Sequence, residues 1–183
     1  MLNAKEKGFT LIEIIIGIVM LSISLAIVSR LIVPTEEQSA DNLLQIKAAE
    51  LGQSLLNDIS SRAFDHKSDM SGGRRRCDEE GQEACTEPDK LGPEDGNDFR
   101  DDDGENDRDD YNDVDDFKGY SDLKDVLGAG LDNTYNSFTI DVDVSYAGDD
   151  LGLSNNRLAK RITVTVTTPL GTKIRFATHK ANF

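Results

Sequence analysis

Apolar and polar positions divide this chain into stretches of unlike rhythm. Residues 9–33 read FTLIEIIIGIVMLSISLAIVSRLIV, apolar on every side, with two full charges, Glu13 near the start and Arg30 near the end. A helix rises 1.5 Å per residue and about 20 apolar residues cross the hydrocarbon core of a bilayer, so this stretch predicts a transmembrane helix. Residues 34–65 change period. Leu44, Ala48, Leu51, Leu55 and Ile59 recur three and four apart, with Asn42, Gln45, Glu50, Gln53, Asn57 and Asp58 opposite them. That pattern predicts an amphipathic helix whose single apolar stripe packs on the chain's own sheet. Pro34 interrupts the two halves by removing a backbone donor, and Thr35 with Gln38 has the spacing of a capping box that restarts the helix.

Residues 126–183 alternate with period two. Phe138, Ile140, Val142, Val144 and Tyr146 interleave with Thr139, Asp141, Asp143 and Ser145, which predicts a half-buried strand. Ile162, Val164 and Val166 predict a second strand, Ile174 and Phe176 a third. Pro169 and Gly171 in the link at 168–172 make the last two a hairpin. A long helix followed by antiparallel strands is an α+β layout with the helix laid across one sheet face. Between them, residues 66–125 show almost no apolar periodicity and predict a long acidic loop region.

Charge sharpens this picture. The 183 residues carry 20 Lys+Arg against 35 Asp+Glu, a net charge of −15. Nucleic acid is therefore not the expected partner, because phosphate backbones are bound by clustered Lys and Arg. Residues 94–116 hold 13 acids offset only by Arg100 and Arg108. Asp101, Asp103, Gly104, Asp107 and Asp110 fall at the spacing of thrombospondin-type calcium repeats. The EF-hand pattern fails, since its first ligand falls on Phe99 and its twelfth position is Asp110 rather than Glu. Any Asp-rich run matches such spacings by chance. The plainer expectation is a disordered, self-repelling loop, with Ca²⁺ the one cofactor the sequence suggests.

Other chemistry is sparse. Cys77 and Cys85, beyond a membrane anchor, predict a disulfide closing a short loop. Zinc is the poorer alternative, because His66 and His179 offer no ligand spacing. Arg74, Arg75 and Arg76 read as a solvated run. There is no G-x-S-x-G, H-E-x-x-H or P-loop, and the abundant carboxylates lack an apolar pocket that would raise one pKa for acid catalysis. No enzyme is expected.

The N-terminus is more telling. Residues 1–8 are short and polar with Lys5 and Lys7, which puts the N-terminus in the cytoplasm. A cleaved secretory signal would need a shorter apolar stretch and a small-residue site, and residues 29–32 provide none. Glu13 costs about 2.5–3.5 kcal/mol inside a membrane span unless paired. Gly8-Phe9-Thr10-Leu11-Ile12-Glu13, after a Lys-bearing leader and before an unbroken apolar helix, resembles the leader of type IV pilins and type II secretion pseudopilins. The resemblance implies cleavage after Gly8 by a prepilin peptidase and methylation of the new Phe9 amine. It also implies that Glu13 pairs with the N-terminal amine of a neighbouring subunit as filaments assemble. Cleavage makes a cation at the membrane, and a buried carboxylate without one is costly, so correct docking is favoured.

Two further blocks, at 39–65 and at 112–119 (Asn-Asp-Val-Asp-Asp-Phe-Lys-Gly), are similar to minor pilins of the mannose-sensitive haemagglutinin (MSHA) pilus, with Phe117 where Tyr is usual. Pilus assembly, attachment to the inner membrane of a Gram-negative cell and a periplasmic C-terminal region are what this likeness implies. The implied partners are other major and minor pilins and an inner-membrane assembly platform.

Overall fold

The structure is a computed structural model that describes residues 8–69, 75–94, 105, 107–123, 135 and 137–182, with the backbone alone at 31–37. Among the described residues its elements are one α-helix, α1 (Leu11–Ser61), three strands, β1 (Thr139–Tyr146), β2 (Ala159–Thr167) and β3 (Lys173–Ala181), and two short 3-10 turns, Gly148–Leu151 and Asn156–Leu158. The chain divides into two compact units, Met1–Leu43 and Leu44–Phe183.

In the first unit, α1 is long and apolar enough over Leu11–Arg30 to cross a membrane, and its side chains there are exposed. Its two serines do not leave hydroxyls unpaired. Ser22 Oγ donates to the Ile18 carbonyl and Ser24 Oγ to that of Met20, each at 2.8 Å. Such back-bonding satisfies a hydroxyl where no water is at hand. The expected break at Pro34 does not occur, for α1 runs uninterrupted through it. Proline removes one rung of the hydrogen-bond ladder, and a long helix on either side holds the rest. Thr35 and Gln38 therefore have no helix start to cap.

The second unit is α+β. Its sheet has the order β1-β2-β3, antiparallel throughout, with Val142 opposite Val164 and Val164 opposite Phe176. Alternation puts Ile140, Val142 and Val144 of β1 inward beside Ile162, Val164 and Val166 of β2. Against this face lie Ala48, Leu51, Leu55 and Ile59 of α1, the stripe read from the sequence, and Leu56 beside them. Gly52 permits the close approach, since a Cβ there would stand 2.5 Å from two ring carbons of Phe176. The β2–β3 hairpin closes with the Thr168 N–H donating to the Thr172 carbonyl at 2.9 Å and Gly171 at φ 86°.

The largest departure from expectation is in the middle. Residues 107–123 are not a solvated loop. Val114 and Phe117 are fully buried in the same core, with Tyr111 and Tyr120 set edge-on to the Phe117 ring at 5.0 and 5.8 Å. The Ala63 N–H donates to the Asn112 carbonyl and the Val114 N–H to that of Ala63, a short bridge tying this segment to the end of α1. Aromatic burial at a few positions outweighs a high local charge, and it leaves no regular period in the sequence.

Candidate functional sites: a capped N-terminus and a buried charge centre

Gly8, Phe9 and Thr10 precede α1 without regular structure, and the leader residues 1–7 lie outside the described residues. Thr10 caps the helix. Its carbonyl accepts the N–H groups of Glu13 and Ile14 at 3.1 and 3.3 Å, and its Oγ1 accepts that of Glu13 at 3.4 Å. Thr10 is thus the N-cap residue, three positions before Glu13, so the helix starts here rather than at Thr35. The arrangement leaves the Gly8–Phe9 peptide outside the helix and puts Glu13 in the first turn, where the helix dipole favours an anion. Phe9 is 80% exposed.

A second set of groups lies inside Leu44–Phe183, and sequence reading missed it. Lys160 stands on β2 two residues before Ile162, and by the same alternation it points inward and is completely buried. Its Nζ donates to the Phe64 carbonyl at 2.6 Å, to Asp65 Oδ2 at 3.1 Å and to Asp115 Oδ1. The rings of Phe64 and Tyr146 lie 4.6 and 5.5 Å from it, so the cation has aromatic faces as well as acceptors. Asp65 is satisfied on both oxygens, Oδ1 by the Lys67 amide and Oδ2 by the Thr86 amide and Lys160. Burial alone would raise the Asp65 carboxyl, but Lys160 and these amides hold it below its ordinary range. Burial likewise opposes charge on Lys160, and Asp115, Asp113 and Asp65 carry it above the ordinary lysine range.

Beside this network the balance reverses. Glu94, Glu105 and Asp116 bring carboxylate oxygens within 4.8 Å of one another. Asp116 Oδ2 accepts the amides of Asn112 and Asp113, both at 2.8 Å, which ties the 112–116 turn. Glu94 and Glu105 are joined by backbone, the Glu105 N–H donating to the Glu94 carbonyl at 3.0 Å. The Asn112 amide nitrogen donates to Glu105 Oε1. Burial and then its acidic neighbour Glu105 push Asp116 up to about 8, against the pull of the two amides. Burial, Glu105 and Asp116 push Glu94 up to about 10. Asp113, buried against Asp115, is likewise raised.

The disulfide forms as expected between Cys77 and Cys85, both buried. Asn182 donates to the Cys77 carbonyl at 3.0 Å, and Arg157 holds Asp78 inside the loop and Glu87 just past it at 3.0 and 3.1 Å. Of the arginine run, Arg76 pairs with Glu79 at 3.2 Å, and Arg74 lies outside the described residues. His66 is buried and His179 reaches Asp150 at 3.3 Å. Of the calcium-repeat positions, Asp101 and Asp103 lie outside the described residues, and Asp107 and Asp110 are exposed, the Asp110 N–H donating to the Asp107 carbonyl at 2.9 Å.

Residues 3–29 match the family model of the prokaryotic N-terminal methylation motif. That motif marks type IV pilin-like prepilin signals. It supports a pilin or pseudopilin that prepilin peptidase processes, anchored in a membrane by its apolar helix, and it belongs to structural proteins rather than to an enzyme family. No curated protein and no solved structure matches the chain.

Proposed function

We propose that this chain is a minor type IV pilin, MshD-like within the MSHA system, that acts in pilus assembly. The observation that carries the reading is the methylation motif over residues 3–29 set against a capped apolar helix. Prepilin peptidase cuts between Gly8 and Phe9 and methylates the Phe9 amine. The helix holds the chain in the inner membrane, with the sheet domain in the periplasm, until it is extracted into a filament. Glu13 then pairs with the terminal amine of a neighbouring pilin. The likeness at 39–65 and 112–119 favours a surface pilus over a type II secretion pseudopilin, which shares the same N-terminal motif.

Electron microscopy of a deletion strain tests this. The expected result is a loss of surface pili that the wild-type gene restores and Glu13→Ala does not. Normal pilus numbers in the deletion strain, with a defect in secreted enzymes, would replace the pilus by the secretion system. Intact-mass analysis of the mature chain adds a second readout. It is expected to begin at Phe9 with one added methyl group.

A further inference from the structure

Acidic side chains often gather on a protein without binding anything, so the Glu94–Glu105–Asp116 cluster needs a second observation. Asp116 supplies it. The residue is 1% exposed. Its Oδ2 is used by two backbone amides, and its Oδ1, also buried, has no hydrogen-bond partner. Among the described residues no cationic side chain bridges to Glu94, Glu105 or Asp116. A buried oxygen without a donor, beside two more carboxylates, is costly for a chain to keep unless something else fills the gap. The amide oxygen of Asn112 and Oε2 of Glu94 are buried and unpartnered in the same way.

We propose that Glu94, Glu105 and Asp116, with the Asn112 amide oxygen, bind a Ca²⁺ ion that stabilises the folded sheet domain. The donors are all hard oxygens, with no imidazole or thiolate among them, which suits Ca²⁺ rather than Zn²⁺ or copper. Two oxygens on opposite sides of a Ca²⁺ ion lie roughly 4.6–5.2 Å apart, given Ca–O distances of about 2.3–2.6 Å, so the spread of the cluster fits one shell. A shell of six to eight oxygens leaves places for water. The ion would tie three distant stretches together: residue 94, residue 105 and the 112–116 turn that closes onto the end of α1. This site uses none of the four Asp of the repeat spacing (Asp101, Asp103, Asp107 and Asp110), and it does not depend on the pilus assignment, because it is measured on the isolated chain.

The test uses the full chain in non-ionic detergent, stripped with a chelator and dialysed into defined Ca²⁺. Equilibrium dialysis with radioactive Ca²⁺ is expected to show one saturable site per chain, with Mg²⁺ at least tenfold weaker. The thermal midpoint should rise with Ca²⁺ concentration, as for any ligand held only by the folded state. Asp116→Asn should weaken Ca²⁺ binding at least tenfold while the Ca²⁺-free midpoint stays level or rises. If that variant does not fold, Glu105→Gln is judged by the same criterion. Asp101→Asn with Asp103→Asn should leave the affinity unchanged. Absence of saturable binding overturns the proposal. So does unaltered affinity in the Asp116 or Glu105 variant, or loss of affinity in the Asp101 and Asp103 variant.

Discussion

Two groups of carboxylates share the interior of Leu44–Phe183, and their circumstances are opposite. Asp65 and Asp115 surround Lys160, which meets them with its ammonium and lies against two aromatic rings. Glu94, Glu105 and Asp116 meet only amides and one another among the described residues. Burial acts against ionisation in both places. In the first, a cation built into β2 overcomes it and the Asp65 carboxyl stays low. In the second, nothing opposes it strongly enough and the carboxyls rise. Burial therefore does not by itself decide the state of an acid; the nearest cation does.

Erasing the contrast from the paired side should have the largest effect. Lys160→Met keeps much of the aliphatic volume and strands Asp65, Asp113 and Asp115 without their cation. Breaking a buried pair by removing one partner costs about 3–5 kcal/mol. Urea unfolding of the full chain in detergent should show a loss of that size. Adding Asp115→Leu should recover part of it, because one of the stranded charges is then gone. A loss under about 1 kcal/mol would mean that the network is wet and the contrast unreal.

A pH titration without divalent cation separates the two groups in a single protein. The carboxyl of Asp116 is raised to about 8 and that of Glu94 to about 10, from ordinary values of 3.8 and 4.5. The folded state therefore binds their protons more tightly than the unfolded state does. Their contribution is complete below pH 4 and is lost as pH rises, by about 8 for Asp116 and about 10 for Glu94. Asp65 has the opposite sign, being lowered, so its contribution is present above its unfolded value and disappears as pH falls below about 4. Thermal midpoints in chelator should peak near pH 4–5 and decline toward neutrality. Saturating Ca²⁺ should flatten or reverse that decline. A midpoint that climbs from pH 5 to 8 in chelator would contradict the assignment of the raised groups.

Much of the fold is legible in the sequence, because each of its signals is periodic. The stripe Ala48, Leu51, Leu55 and Ile59 and the alternation in β1 and β2 each repeat often enough to outweigh single exceptions. The charge centre is not periodic, and its parts lie at 64–65, 94, 105, 112–116 and 160. Lys160 was nevertheless within reach. Counting back by two from Ile162 lands on it, and a lysine on the inward parity of a strand demands a buried acid. Asp113, Asp115 and Asp116 were hidden by their company, since a run of 13 acids gives no local sign of which ones turn inward. Val114 among them and Phe117 just after them were the available marks. The N-terminal motif is of a third kind, read from six consecutive residues, and its structural counterpart is the Thr10 cap.

The smallest expected effect comes from an exposed ion pair on the residue neighbouring Lys160 in the same strand. Arg161 is the next residue on β2, so its side chain leaves the opposite face, where Nη1 meets Asp150 Oδ2 at 2.9 Å. Its distance is ordinary for a charge-assisted hydrogen bond, and His179 adds a second contact to the same oxygen at 3.3 Å. Both Arg161 and Asp150 side chains are more than two-fifths exposed, however. Water screens the attraction and solvates whichever partner is left, so Arg161→Gln should cost only a few tenths of a kcal/mol and should weaken further with added salt. Paired measurements on Lys160→Met and Arg161→Gln then compare neighbouring residues of one strand. Equal losses would assign the effect to pairing, whereas a roughly tenfold difference in free energy would assign it to the absence of water.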